Sequence, residues 1–393
     1  MKTNVDVIVV GAGIVGQALA LGLAEQAISV AIIDKLPAPK LPQTNTDFSV
    51  RVSAISSASE AFLRRLGAWQ LIQRKQAYTH MEVWDQDGFG HIDFDTSGQS
   101  NAFEGPASLG HIIENDQLTD ALQKAIEQRN EISCLYEQSI QHMHADETGA
   151  QVLLESGQMI NAKLLVGADG ANSQVRRAFG FKQTFWDYDH TAIVANVKTN
   201  QTHNNTAKQA FTPYGPLAFL PLADPNVCSI VFSQQSEKAR ELMALPNAEF
   251  EKALLVAINN QFGKLELLSE RKALNLRMRY ARTWVGNSVA LVGDAAHTIH
   301  PLAGQGANLG LADVQSLLQI ISQSPEQLGS LFQLRKYERW RKAEALKVIA
   351  SMEGFKRLFD GSDPLKKLVR NTGLFAANKL AFVKKFFIDQ ASS

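Results

Sequence analysis

Two cysteines in 393 residues, Cys134 and Cys228, are too few and too far apart for a disulfide scaffold or a metal-ligand spacing. They read as buried thiols in a reducing compartment. Excess charge of either sign is missing as well. The 39 Lys and Arg balance 39 Asp and Glu, so bulk charge gives no argument for nucleic acid binding. Long hydrophobic runs are scarce. Only 7–24 approaches a membrane-spanning length, and four glycines interrupt it between Asp6 and Glu25. It reads as strand, turn and helix rather than as a transmembrane segment or a signal peptide. A cytoplasmic protein is expected. The hydrophobic content of 45% and charged content of 20% suit a globular chain long enough for two or more domains.

What the chain does have is concentrated first in residues 5–34. Val5 to Val10 (VDVIVV) suit a buried parallel strand. Gly11, Gly13 and Gly16 follow at G-x-G-x-x-G spacing, and helix formers continue from Ile14 to Glu25. A second apolar run, Val30 to Ile33, ends in Asp34. Gly11 permits the sharp turn, Gly13 leaves room for a pyrophosphate, and Gly16 lets helix and strand pack closely. The helix N-terminus offers N–H groups and a positive dipole end to phosphates. Asp34 is placed to accept both hydroxyls of an adenosine ribose, which favours FAD or NAD over NADP. Ile14, Val15 and Lys35, inside or next to these motifs, are expected at the cofactor too.

Two later stretches repeat the logic of an apolar strand ending in glycine and acid. AKLLVGADGANSQVRR places Asp169 and Gly170 at a strand end, with a short helix starting near Asn172 or Ser173. VGNSVALVGDAAHTIHPLAGQGANLG places Gly293 and Asp294 at another, before a glycine-rich loop that enters a helix near Asn308. Both acids can bind cofactor hydroxyls, and the N–H groups of Gly304, Gln305, Gly306, Ala307 and Asn308 can face an anionic ring edge. Arg51 can reach a pyrophosphate as a charge-assisted donor, or remain a solvated loop arginine. Asn115 can touch the cofactor, although capping a helix is the simpler role for it or Asp116. His297 and His300 invite assignment as a base; shaping the loop is the plainer reading.

Between these motifs the chain changes character. Residues 78–95 read as a β-hairpin around Asp87-Gly88, and 184–234 as alternating, aromatic-rich strands of an antiparallel sheet continuous with it. Residues 236–262 look helical, and 335–388 are helical and basic. That tail suits either an anionic membrane surface or a bundle packed on the core with a solvated face. The expected class is α/β: a Rossmann-like cofactor domain with a parallel sheet, an antiparallel-sheet substrate domain and a C-terminal helical region. The cofactor domain takes segments 1–77, 106–180 and 271–345. The substrate domain takes the hairpin 78–105 and 181–270, and 346–393 is the basic helical region.

Gly11/Gly13/Gly16, Asp169-Gly170 and Gly293-Asp294 together resemble the three marks of the single-component FAD aromatic hydroxylases. HTIHPLAGQGANLGLAD (297–313) resembles the signature of the ubiquinone-biosynthesis hydroxylases within that group. HMEVWDQDGFGHIDFD, GHIIENDQL, TFWDYDH, AFLPLADPNVCSIV and GFKRLFDGSDPLKKLVRNTGL extend the likeness over nearly the whole chain. They are most similar to the members that add the first ring hydroxyl, at carbon 5, to 2-octaprenylphenol. Asp34 stands where the family usually has Glu, and Ala307 where a larger apolar residue is usual.

The resemblance implies that reduced FAD activates O2 and that an electron-rich phenol ring attacks the activated oxygen. Pro301 would line the reaction side of the flavin, and Tyr214 and His190 are candidate bases from the sheet. The chain has no second G-x-G-x-x-G, so NAD(P)H would visit only transiently. The implied partners are a polyprenylated phenol, O2, a ubiquinone-biosynthesis protein complex and, through the basic tail, the inner face of the cytoplasmic membrane. A homo-oligomer is compatible with this reading, and no metal and no nucleic acid is expected. The rivals are a sister hydroxylation at another carbon and a catalytically silent FAD scaffold. The intact Gly-Asp and GQG segments weigh against the scaffold.

Overall fold

The computed structural model describes residues 3–41, 48–96, 108–298 and 306–359, with the side chains of the last helix described to 347. Short apolar strands form a six-stranded sheet in the order Val285–Gly286, Val289–Leu291, Leu164–Gly167, Val7–Val10, Val30–Ile33 and Ile132–Leu135. All its pairs are parallel except the two-residue edge strand, which runs antiparallel to its neighbour. Val7 to Val10, Val30 to Ile33 and Leu164 to Gly167 are buried throughout, as strands covered on both faces must be. Parallel pairing puts the C-terminal ends of the three motif-bearing strands at one edge. There the ladder continues one step further: Gly11 N donates to Ile33 O at 2.8 Å, Ala168 N to Val10 O at 2.8 Å, and Val292 N to Gly167 O at 3.0 Å. Motifs as far apart in sequence as Gly11 and Asp294 are thereby neighbours.

The helix Ile14–Ala24 is buried almost all round, so its amphipathic signal is weak. Gly22 faces Leu318 of the helix Gly306–Gln323, and Gln17 donates to Gln123 of the helix Asn115–Ile126 at 3.2 Å. An antiparallel three-stranded sheet (Met159–Ala162, Gly149–Leu154, Ile140–Asp146) adds Val152, Leu154 and Ile160 to the same core. The helix Leu331–Phe359 packs on it through Leu334, Tyr337 and Ala345. Most of the basic region 346–393 lies outside the described residues. Among the described residues no helix is long and apolar enough to cross a membrane.

The second layer is a nine-stranded sheet built on the 17-residue strand Gln183–Thr199. It joins the hairpin His80–Asp85 and His91–Asp95 to 184–234 as expected. The junction is a parallel pair, with Thr206 opposite His80. Period-two alternation sorts its faces. Leu217 and Phe219 pack with Phe250, Leu254 and Phe262 beneath the helices Ser236–Ala244 and Asn247–Ala257. Ala218 and Leu220 turn the other way, onto Ala54 and Ile112. Those two belong to a small sheet (Val52–Ile55, Gly110–Glu114, Gln76–Tyr78) that rests on the cofactor unit.

One expected boundary is displaced. The strand Lys272–Ala281 pairs with Gln183–Thr199 in the large sheet instead of returning to the cofactor unit at 271. Its alternation (LNLRMRYA) places Leu276 and Met278 on a buried face, with Arg277 exposed between them. It also pairs with His297-Thr298, tying the large sheet to the segment just after Asp294.

Candidate active site

At the carboxyl edge of the parallel sheet, the three N-terminal glycines occupy three different environments. Gly11 has φ of +107°, and a Cβ there would lie 2.5 Å from Ala168 O. A Cβ on Gly16 would lie 2.0 Å from Gly11 O. Neither position accepts another residue without moving backbone. Gly13 differs: a Cβ there meets nothing within 4 Å. It is the N-cap of the helix Ile14–Ala24, whose first turn receives no side-chain cap and contains no acid. Open space in front of uncapped N–H groups is a cradle for an anion. Val15 packs under Gly293, Ile14 is half-buried beside it, and Lys35 is exposed.

Carboxylates ring this cradle. Asp34 accepts from Ala12 N at 2.6 Å and Leu36 N at 2.8 Å, which fixes it at the strand end with lone pairs to spare. Asp169 accepts through Oδ2 from Gln174 N at 2.7 Å and Val175 N at 3.2 Å, while its Oδ1 is buried with no partner in the protein. A buried carboxylate oxygen left over in this way fits a ligand hydroxyl. Gly170, with φ of +76°, has open space where a side chain would stand. Asp294 lies in a single 3-10 turn, Gly293–Ala295, with its side chain open to the cleft. Crowding by the cleft walls pushes its carboxyl up, against the pull of His297, Arg51 and Arg279. Arg51 is exposed on the same side. These groups fit a dinucleotide: an anion cradle flanked by acceptors for hydroxyls.

The Asp169 geometry separates its two roles. Asp169→Asn keeps one oxygen for Gln174 and Val175 but offers an amide where Oδ1 stood. The expected result is an apoprotein of unchanged stability whose FAD affinity is at least about 10-fold weaker. Asp169→Ala costs about 1 kcal/mol of stability in addition. FAD titration by fluorescence quenching, paired with thermal melts of the apoproteins, checks both.

The side chains of Asn115 and Asn308 are engaged within the protein. Asn115 is the first residue of its helix, and the N-cap is Glu114, whose carboxylate accepts from Ser49 N and Arg74. The Asn115 Oδ1 accepts from Ser53 Oγ at 2.7 Å, so its side chain ties helix to strand. Neither Asn115 nor Asp116 caps, because the strand runs directly into the helix at Glu114. Asn308 ties across to the same corner: Nδ2 donates to Ala54 O at 2.8 Å and Oδ1 accepts from Ser56 N at 3.1 Å. Gly306 is exposed at the helix start, and Ala307 packs against the core. Pro301, Gly304, Gln305 and His300 lie outside the described residues.

Beneath Asp294 sits a buried ionic cluster. Asp313, on the helix Gly306–Gln323, has no exposed surface. Its Oδ2 accepts from Gly293 N at 2.9 Å and pairs with His297 Nε2 at 2.6 Å, while Oδ1 accepts from Arg341 Nε at 2.7 Å. Burial alone would raise the Asp313 carboxyl, but His297 and Arg341 overcome it and hold the group below its ordinary range. Trp284 stacks on His297 with centroids 4.9 Å apart. His297 is therefore locked in the frame that holds the Gly293–Ala295 turn, in keeping with its reading as a residue that shapes the loop. Tyr337 adds a bond to Leu291 O at 2.9 Å from the long C-terminal helix.

A cavity lies between this edge and the large sheet. Ser56 and Asn308 line it on the cofactor side, Tyr78 and Ile112 on the small sheet, and Ala207, Gln209, Ala218 and Leu220 on the large one. Tyr214 and His190, singled out in the sequence as candidate bases, do not line it. Tyr214 is half exposed at the turn between the strands Thr206–Thr212 and Gly215–Pro221. His190 pairs with Gln235 where its strand shifts register, at the same end of the sheet. Their residue types suited the chemistry, but a hairpin turn and an irregular strand end put both away from the cavity. Tyr78 and Gln209, which do line it, carry no signal in the sequence. Their strands come together only through long-range pairing, which no local motif announces.

The chain matches the FAD binding domain family over residues 4–351. It is 35% identical over 386 residues to the 3-demethoxyubiquinol 3-hydroxylase of Escherichia coli (strain K12), covering 97% of this chain and 96% of that one. It is 33% identical over 446 residues to the mitochondrial ubiquinone biosynthesis monooxygenase COQ6 of Xenopus tropicalis, covering 98% and 93%. Its fold matches the crystal structure of the p-nitrophenol 4-monooxygenase PnpA of Pseudomonas putida DLL-E4 with a TM-score of 0.80, over 100% of this chain and 99% of that one, at 17% identity. Likeness over the full length, with the three motifs gathered at one sheet edge, makes this chain a member of the FAD binding domain family and, within it, of the FAD-dependent ring hydroxylases of ubiquinone biosynthesis.

Proposed function

We propose that this monooxygenase adds the first ring hydroxyl, at carbon 5, to 2-octaprenylphenol, with NAD(P)H as the electron donor. The observation that carries a ring substrate is the mostly apolar cavity between the cofactor edge and the large sheet. A mostly apolar wall of this kind suits contact with an aromatic ring, which needs only a few placed polar contacts. Carbon 5 rests on the substrate-domain and tail strings quoted above. The 3-demethoxyubiquinol 3-hydroxylase relative favours a second reading, hydroxylation at carbon 3 of a later ring.

Bound FAD, once reduced, supplies activated oxygen to an electron-rich ring. The chain's own groups bind and orient. Gly11 to Gly16 and the first helix N-terminus take the pyrophosphate with Arg51, and Asp34 takes the adenosine ribose. Asp169 and Asp294 accept from further hydroxyls. By the family resemblance, Gly304 to Asn308 would face the flavin ring edge, and Pro301 would line the reacting side. The apolar walls exclude water from the ring.

Mass spectrometry of quinone intermediates in cells lacking the protein, grown in air, tests the substrate. A prenylphenol without the new hydroxyl is expected to accumulate. Accumulation of a demethoxylated quinone moves the enzyme to the second reading, and a normal profile without a redundant enzyme removes both. The basic region 346–393 is assigned to membrane or complex contact. A chain lacking 351–393 should lose liposome flotation, and undiminished binding excludes docking through the tail.

A further inference from the structure

The cavity contains a polar side chain that the protein does not satisfy. Gln209 is 8% exposed. Its strand neighbours send their side chains to the other face: Lys208 touches the cavity wall, but its ammonium pairs with Glu82 at 2.7 Å and lies over Phe262, and Ala210 is in the core beneath the helices. Period-two alternation therefore turns Gln209, with Ala207, onto the cavity, opposite Ala218 of the next strand. Among the described residues nothing hydrogen-bonds the Gln209 side-chain amide. An amide that faces a cavity without a protein partner is free to bond a ligand there.

The other polar groups of the wall are committed. Asn308 spends both ends of its amide on Ala54 O and Ser56 N, and Ser56 Oγ caps its own helix through Ser59 N at 3.3 Å. Tyr78 stands on the opposite wall, its ring against Gly110, where a Cβ would lie 3.2 Å from the hydroxyl. Burial pushes that hydroxyl up to about 12, so it remains a neutral O–H. The rest of the wall is apolar apart from Lys208, whose ammonium is paired with Glu82.

We propose that Gln209 is the residue that recognises the oxygen substituent of the aromatic ring, with the Tyr78 hydroxyl as the second contact from the facing wall. The inference rests on the ring-hydroxylase reading above and names the residue that would set ring orientation within it. An amide is no base at working pH. Its Oε1 accepts the phenol O–H and its Nε2 donates to a ring oxygen, so it fixes which ring carbon is presented to the flavin side without removing a proton. A prenylphenol carries one ring oxygen, so holding that oxygen fixes which ring carbon is turned toward the flavin side.

The test compares a short-chain prenylphenol with the same prenylbenzene lacking the hydroxyl, by flavin absorbance and fluorescence changes in the holoenzyme. Wild type is expected to prefer the phenol by roughly 10- to 100-fold. Gln209→Leu, close in volume and fully apolar, should abolish most of that preference while binding the deoxy ring as wild type does. Because the amide has no protein partner, Gln209→Leu should also melt no lower than wild type. Gln209→Met is the second variant if Leu packs poorly, and Tyr78→Phe should lose a smaller part of the preference. Discrimination that survives in both Gln209 variants overturns the assignment, as does a lowered melting temperature with equal weakening of both rings. Wild-type holoenzyme that binds neither ring overturns the ring-hydroxylase reading and this assignment with it.

Discussion

Gly13→Asp is expected to yield an apoprotein at least as stable as wild type that no longer retains FAD. Gly13 sits at the N-cap with φ of −77° and ψ of −178°, extended backbone that aspartate adopts freely. Aspartate is among the best N-caps and carries the right charge for a helix N-terminus, so the apoprotein should gain a fraction of a kcal/mol up to about 1 kcal/mol. Nothing in the structure resists the side chain, because the space ahead of Gly13 is open. That space is where the pyrophosphate is proposed to lie. The new carboxylate takes the same N–H groups and repels the phosphates. Losing two charge-assisted bonds at about 1.5–3 kcal/mol each weakens FAD by about 100- to 10,000-fold. Gly16→Ala is the control with the opposite signature. Its Cβ would stand 2.0 Å from Gly11 O, so the apoprotein itself is destabilised by about 1–3 kcal/mol or more. Thermal melts without FAD and FAD titrations separate the two. Equal loss of apoprotein stability in both variants would sink the cradle assignment.

The same contrast explains what the sequence could reveal. The glycine turn, the acid after the second strand and the two later strand-glycine-acid stretches are local patterns. Each is written within a few residues because backbone geometry and cofactor contact are made there. Parallel order then followed from buried apolar strands joined by helices, and the sheet gathers these patterns at one edge. The cavity was not legible in this way. Gln209 sits in AKQAFT beside another polar residue, and only the pairing with Gly215–Pro221 and His80–Asp85 decides that the Lys208 side chain lies on the helix-covered face and Gln209 on the cavity face. Tyr214 and His190 looked chemically apt, yet a residue's type says nothing of which end of a strand meets the cofactor. The sheet that Lys272–Ala281 joins was hidden for a related reason: a strand's own residues do not say which strand it pairs with.

The least legible feature is the one expected to matter most for stability. Asp313, His297 and Arg341 are 16 and 28 residues apart and form no motif, yet they enclose one fully buried carboxylate. Asp313→Asn preserves shape and removes the charge, leaving the Arg341 guanidinium buried without its anion. Breaking one side of such a cluster costs about 3–5 kcal/mol. The pH dependence has a definite sign. The Asp313 carboxyl is depressed in the folded protein relative to its ordinary value of 3.8, so its stabilisation is fully present above that value. It is lost as pH falls through the lower folded value. The gap between wild type and Asp313→Asn in denaturant melts should therefore be largest above about pH 5 and narrow as pH drops below 3.8. Because Asp313 also holds Gly293 N at 2.9 Å, the variant loosens the turn that carries Asp294. FAD affinity should fall along with stability, by about 10-fold for one displaced hydrogen-bonding contact. A gap that stays constant with pH would mean that the Asp313 charge is not what the cluster depends on.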